Sequence, residues 1–157
     1  MKILCIICAR GGSKGVKNKN IKSLNGKPLI YYTINQAKKS KVFKKIVVST
    51  DSKKIKKISE KYGADCWFKR NKELSNDNAS KILVIKDALR KSEKYYNQKF
   101  DYIVDLDVSS PLRNISDIKN SIKNFTKRKY DNLFSVCISR KNPYFNIVEK
   151  NDNKFSL

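Results

Sequence analysis

The sequence predicts an α/β fold of three layers, a mostly parallel sheet with helices on both faces. Three observations carry that expectation. Lys2 to Cys8 is an almost unbroken apolar run, the pattern of a central parallel strand covered on both sides. Short apolar runs then alternate with longer segments whose apolar residues recur at helical spacing, as crossover units require. Polar, glycine-containing loops follow the ends of those runs, where an open parallel sheet collects its ligands.

Taken in order, the first strand leads into a basic loop, Arg10 to Asn20, and then Asn25-Gly26-Lys27. Pro28 suits the first turn of a helix to about Ser40, since its missing N–H costs nothing there. Ile30, Ile34 and Ala37 give that helix one apolar face. Lys45 to Ser49 reads as the second strand, and Asp51-Ser52 as the cap of a helix carrying Ile55, Ile58 and Tyr62. Gly63 ends it, and Ala64 to Phe68 reads as a short third strand. Arg70 to Asn78 is a polar loop. Ala79 to about Tyr95 is a helix with Ile82, Ile85, Ala88 and Leu89 facing inward. Tyr102 to Leu106 is the next strand, Asn114 or Ser116 caps a helix through about Lys129, and Leu133 to Ile138 is a further strand. Tyr144 to Leu157 alternates like the start of another strand pair.

Composition bounds the function. The 157 residues suffice for one domain with a core, and 39% of them are hydrophobic. No apolar run approaches the roughly 18 residues that cross a bilayer. Met1 to Ala9 is too short an apolar stretch for an export signal and runs into Arg10-Gly11-Gly12-Ser13-Lys14, so a cytoplasmic protein with no membrane partner is expected. There is no histidine, which excludes histidine triads and histidine-ligated zinc. Cys5 and Cys8 point to opposite faces of a strand. They are expected to be buried and reduced, with Cys66 and Cys137. A formal charge of +22 from 36 Lys+Arg against 14 Asp+Glu attracts any polyanion. The excess is mostly lysine spread along the chain, which reads as solvated surface, and no specific nucleic-acid partner is expected. Tyr95, Tyr96 and Phe100 fit packing at a helix end better than a base-stacking face.

Three loops carry polar groups that a bare scaffold does not need. In the first, Ala9-Arg10-Gly11-Gly12-Ser13-Lys14-Gly15 with Lys17, Lys19 and Asn20, small residues let backbone N–H groups approach a polyphosphate while cations neutralise it. It matches neither the Walker A order nor the dinucleotide fingerprint, whose ribose-binding acid lies about 20 residues on. The same residues also make a simple turn. The second, Arg70 to Ser80, contains Leu74-Ser75-Asn76-Asp77-Asn78-Ala79-Ser80, in which Asp77 or Asn78 could equally serve as a helix cap. The third is Asp105-Leu106-Asp107-Val108-Ser109-Ser110-Pro111-Leu112-Arg113. Two carboxylates on one face of a strand end can hold Mg²⁺, and they also suit a turn before proline.

In order, A-R-x-x-S-K-G with Lys19-Asn20, G-K-P-L at Gly26 to Leu29, V-S-T-D at Val48 to Asp51, Arg70 before L-S-x-D-x-A-S, and S-P-L-R at Ser110 to Arg113 resemble the acylneuraminate cytidylyltransferases, the CMP-sialic acid synthetases and their bacterial relatives. The resemblance implies a Rossmann-like nucleotidyltransferase fold and attack of a nonulosonic acid's anomeric hydroxyl on the α-phosphate of CTP. Carried over by position, Arg10, Gly11, Ser13, Lys14, Lys19 and Asn20 bind the triphosphate, with Arg10 and Lys19 as candidate catalytic residues. Arg70, Ala79 and Ser80 line the cytidine site, Ala79 through its backbone. Asp107, Ser110 and Arg113 stand next to sugar or metal, with Asp107 as the candidate ligand of Mg²⁺ or Mn²⁺. No general base is assigned.

Two departures refine the expectation. Where many members read Q-P-T-S-P-L-R, this chain has Asp107-Val108-Ser109-Ser110, and with Asn142-Pro143-Tyr144-Phe145-Asn146 it looks more like the legionaminic-acid branch. Members also continue into a segment with a D-x-D metal site and most of a homodimer contact. That segment would lie beyond Leu157, so a truncated chain, 1–157 as one nucleotide-binding domain, is expected. The alternatives weighed are a cytidylyltransferase for the eight-carbon acid Kdo, a basic nucleic-acid-binding module and an inactive fragment.

Overall fold

The computed structural model describes residues 1–128, 130–136, 149–151 and 154–156. Strand β1, Ile3–Cys8, is the centre of a parallel sheet. On one side it pairs with β4, Lys45–Ser49, from Leu4 opposite Lys45 to Cys8 opposite Ser49. On the other it pairs with β5, Tyr102–Asp105, from Ile3 opposite Tyr102 to Ile6 opposite Asp105. Leu4, Cys5, Ile6 and Ile7 have no exposed surface, as an apolar run covered on both faces requires.

Alternation along β1 divides its side chains between two cores. Cys5 and Ile7 join Ile30, Ile34 and Ala37 of α1 (Leu29–Ser40), Ile55 of α2 (Lys53–Lys61), and Ile118 and Ile122 of α4 (Ile115–Lys127). Leu4 and Ile6 meet Ala88, Ile85 and Leu89 of α3 (Lys81–Tyr96) on the opposite face. Helices therefore cover both faces, and the three-layer α/β fold stands. Cys8 packs with the second core and Cys5 lies in the first, so the C-x-x-C pair is split across the sheet. Cys5, Cys8 and Cys66 are free thiols; Cys137 lies outside the described residues.

Local chemistry sets the element ends. Ser52 caps α2, its hydroxyl accepting from the Ile55 N–H. Pro28 stands one residue before α1 instead of in its first turn, closing a small hairpin of β2 (Ser23–Leu24) and β3 (Lys27–Pro28). Asn25 and Gly26 form its two-residue turn with φ of 45° and 75°, the combination that favours Asn-Gly there.

Three expectations need correction. Ala64 to Phe68 is not a strand: Asp65 alone bridges to Val47, after which Trp67 and Phe68 turn into the core beside α3. Ile82 is not inward, being 64% exposed, because the face that α3 buries runs through Val84, Ala88 and Ser92. Among residues 133–136 no strand forms; the rest of that predicted strand, and Asn142 to Asn146, lie outside the described residues. The pairing expected near the end is present as β6 (Glu149–Asn151) antiparallel to β7 (Lys154–Ser156). Chain contacts divide the molecule into two units, Met1–Lys123 and Asn124–Leu157. Among the described residues no helix is long and apolar enough to cross a membrane.

Burial raises the Cys5 thiol far above its usual range and pushes Cys8 and Cys66 up to about 11. Alkylation needs the thiolate. At pH 8, iodoacetamide should therefore modify these residues in the native chain at least about a hundredfold more slowly than in the denatured chain. Labelling of Cys5 or Cys8 at the denatured rate, read by peptide mapping, would contradict their placement.

Candidate functional site

The first loop leaves the carboxyl end of β1 and is tied down from beside and beneath. The Ala9 N–H donates to the Ser49 carbonyl at 3.0 Å, and the Gly11 N–H donates to Asp51 Oδ1 at 2.8 Å. A Cβ on Gly11 would come within 3.1 Å of Ser52 Cβ, so only glycine fits without a shift. Asn20 is buried, and its Nδ2 donates to the Arg10 carbonyl at 2.9 Å. It holds the loop's shape from within. Ser13 and Lys19 are half-buried, and Gly12 and Lys14 are exposed.

Arg70 is 5% exposed. Its Nε donates to Ser49 Oγ at 3.0 Å, and a terminal guanidinium nitrogen donates to the Ser49 carbonyl. Ser49 thereby joins the start of the first loop to the start of the second. Burial lowers the Arg70 pKa, partly opposed by the fields of Cys8 and Asp51. A cavity of about 400 Å³ opens here, lined by Asp51, Lys69, Arg70, Asn71, Lys72 and Ser75.

The second loop reaches across to the first through Asp77, whose oxygens lie 2.5 Å from Arg10 and 2.5 Å from Lys14. Hydrogen bonds from Lys14 and Arg10 hold the Asp77 carboxyl below the usual range. Ser80 stands at the start of α3 without a side-chain cap bond, and Ala79 is half-buried beside it. Neither lines the cavity at Arg70.

The next residue, Lys81, joins α3 to the third loop, its ammonium 2.5 Å from Asp105 and 2.9 Å from Asp107. Burial works against the Lys81 charge, but the two carboxylates outweigh it and raise its pKa. Burial raises Asp105 in turn, despite Lys81. Asp105 Oδ1 is buried with no hydrogen-bond partner among the described residues. Arg113 folds back on its own loop, donating to the Asp107 carbonyl at 3.0 Å and to Gln36 Oε1 at 3.3 Å. Gln36 Nε2 donates to the carbonyls of Pro111 and Arg113, each at 2.7 Å. Ser110 is exposed.

The structure thus brings Arg10, Lys14, Asp105 and Asp107 to one end of the sheet, joined through Asp77 and Lys81. It gives Asn20, Arg70 and Arg113 loop-holding bonds. Asp77 and Asp51 as partners of the first loop, and Lys81 and Gln36 altogether, were not foreseen. Asp77 and Asp51 sit inside the quoted motifs, so those motifs held a signal; nothing local marks Lys81 or Gln36.

The family model described as Cytidylyltransferase matches residues 4–155. Post-translational flagellin modification protein B of Campylobacter coli is 52% identical over 153 residues, covering 98% of this chain and 65% of that protein. The CMP-N,N'-diacetyllegionaminic acid synthase of Campylobacter jejuni subsp. jejuni serotype O:2 is 50% identical over 153 residues, with the same coverage of 98% and 65%. The chain thus spans just under two thirds of the length of these relatives. Among solved structures, CMP:2-keto-3-deoxy-manno-octonic acid synthetase complexed with CTP superposes with a TM-score of 0.65 at 20% identity, covering 82% of this chain and 49% of that one. That likeness is one of fold.

Replacing Arg70 with alanine removes charged donors from both acceptors of Ser49 and should cost about 2–3 kcal/mol of stability in urea unfolding. Arg70→Lys should recover only part, since an ammonium cannot reproduce the planar fork. A loss below about 0.5 kcal/mol in Arg70→Ala would contradict the holding role.

Proposed function

This chain belongs to the cytidylyltransferase family, and from that premise we propose that it is the nucleotide-binding portion of an enzyme that transfers CMP from CTP to a nonulosonic acid. The observation that carries the reading is that the first and third loops leave the carboxyl ends of β1 and β5 while the second is tied to the end of β4 by Arg70, with Arg10 and Lys14 bound to a carboxylate of that second loop and Lys81, just after it, bound to the third. Cations gathered at that edge suit a polyphosphate. The name of the Campylobacter jejuni relative supports a legionaminic-type acceptor.

In this reading Arg10, Ser13, Lys14 and Lys19 take the triphosphate, with Gly11 giving the loop its close approach to Ser52 and Asn20 fixing the Arg10 carbonyl. Arg70, Ala79 and Ser80 face the cytidine. Asp107, Ser110 and Arg113 belong to the acceptor side. The sugar's anomeric oxygen forms a bond to the α-phosphorus, and the bond from that phosphorus to the β-phosphate's bridging oxygen breaks. Pyrophosphate leaves, and the hydroxyl proton passes to base or solvent. Such a step depends on positioning and charge neutralisation more than on covalent chemistry.

The carboxylates fit a divalent cation. Asp105 and Asp107 already share one cationic group, the Lys81 ammonium, and Asp105 Oδ1 retains an unused acceptor site. Asp107, with Asp105, would hold Mg²⁺ or Mn²⁺. Bound there, the ion would supply charge stabilisation for phosphate oxygens. Lys81, at the first turn of α3, holds both carboxylates on one side of the loop.

Calorimetric titration with CTP, ATP, GTP and UTP in Mg²⁺ should show selective CTP binding, and Arg10→Ala should weaken it about tenfold or more. Pyrophosphate release with a panel of nonulosonic acids then identifies the acceptor. Equal binding of all four nucleotides would remove the cytidylyltransferase reading for this chain; undiminished binding in Arg10→Ala would remove the phosphate role of its loop.

A further inference from the structure

Asp77 places a carboxylate where the triphosphate reading expects a phosphate. Its Oδ1 faces Arg10 and its Oδ2 faces Lys14, so one side chain engages both first-loop cations. The second loop does not use that side chain for its own shape. Its turns are closed by Ser75 Oγ donating to the Asn71 carbonyl, Asn76 Nδ2 donating to the Glu73 carbonyl and the Asn78 N–H donating to Asn76 Oδ1. Asp77 is therefore available to leave while the loop keeps its fold.

We infer that Asp77 is an internal competitor for the polyphosphate: it occupies Arg10 and Lys14 in the nucleotide-free chain and is displaced when a polyanion binds. The inference rests on the triphosphate reading of the first loop. Two cations and one carboxylate leave one net positive charge facing solvent. A singly charged anion gains little by replacing the resident carboxylate, whereas a polyphosphate brings several charges to the same two groups. The pairs are also open to water, with the Lys14 side chain 84% exposed and that of Asp77 37% exposed. Exposed ion pairs hold weakly, so displacement carries a small penalty. Asp77 thus makes the site selective for highly charged ligands and shields the loop from dilute monoanions, including the carboxylate of a sugar acid arriving before the nucleotide.

The probes are inorganic tripolyphosphate, which has no base, and CTP, each titrated calorimetrically into the 157-residue chain and into Asp77→Asn. The variant should bind both roughly 3- to 10-fold more tightly. Its affinity for acetate, a simple monoanion, should rise as well. A purely structural role predicts the opposite sign, since a loosened second loop weakens CTP binding. Asp77→Ser gives the same comparison independently if Asp77→Asn does not fold. Equal or weaker tripolyphosphate binding in a folded variant overturns the inference. Failure of the unaltered chain to bind either tripolyphosphate or CTP instead overturns the reading on which it rests.

Discussion

Strand β1 is hydrogen-bonded on both edges and buried on both faces, and that double enclosure dictates where polar chemistry can sit. A strand so enclosed has no face to offer water, so the first polar residues that follow it emerge together at its carboxyl end. The parallel neighbours β4 and β5 deliver their own loops to the same edge. Ser49, the last residue of β4, ties the first loop to the second, its carbonyl accepting from the Ala9 N–H and from the Arg70 guanidinium. The site is a consequence of the sheet's direction before it is a matter of any motif.

Charge supplies the next level. The chain has 14 acidic residues against 36 basic ones, yet Asp51, Asp77, Asp105 and Asp107 all lie in the loops that meet at this edge. Three of them bind cations of a different loop or element, and Asp51 accepts a backbone N–H. The abundant lysines elsewhere are largely exposed, as solvated faces are. The aromatic rings beside them pack on one another: Trp67 stacks on Tyr95 at 4.3 Å, and Tyr96 meets Phe100 edge-on. Aggregate charge is thus less informative about the site than the placement of a few carboxylates.

Much of the scaffold was legible because burial imposes a period. β4 begins and ends as its apolar run implies, and α1 buries Ile30, Ile34 and Ala37 as their spacing predicts. The failures have a common cause in tertiary context. Ile82 fits a helical stripe, but α3 rotates so that Ser92 is buried instead, its hydroxyl satisfied by the Ala88 carbonyl. Residues 64–68 have strand-like composition, but the path toward α3 allows one bridge and no ladder. Asn25-Gly26 makes a hairpin turn between strands of only two residues each, too short for an apolar alternation to mark them. The site residues were readable only as ordered motifs. The ties made by Asp77, Lys81 and Gln36 join groups distant in the sequence, Lys81 to Asp107 across 26 positions and Gln36 to Arg113 across 77, and no local pattern announces them.

If these loops form one nucleotide site at the carboxyl edge of the sheet, a crystal structure of the chain with CTP will show it. Phosphates should lie against Arg10 to Asn20 and the cytosine ring against the Arg70 to Ser80 loop, with Asp77 withdrawn from Arg10 and Lys14. CTP lying along the lysine-rich exposed face of α2, with the Asp77 ion pairs intact, would contradict it.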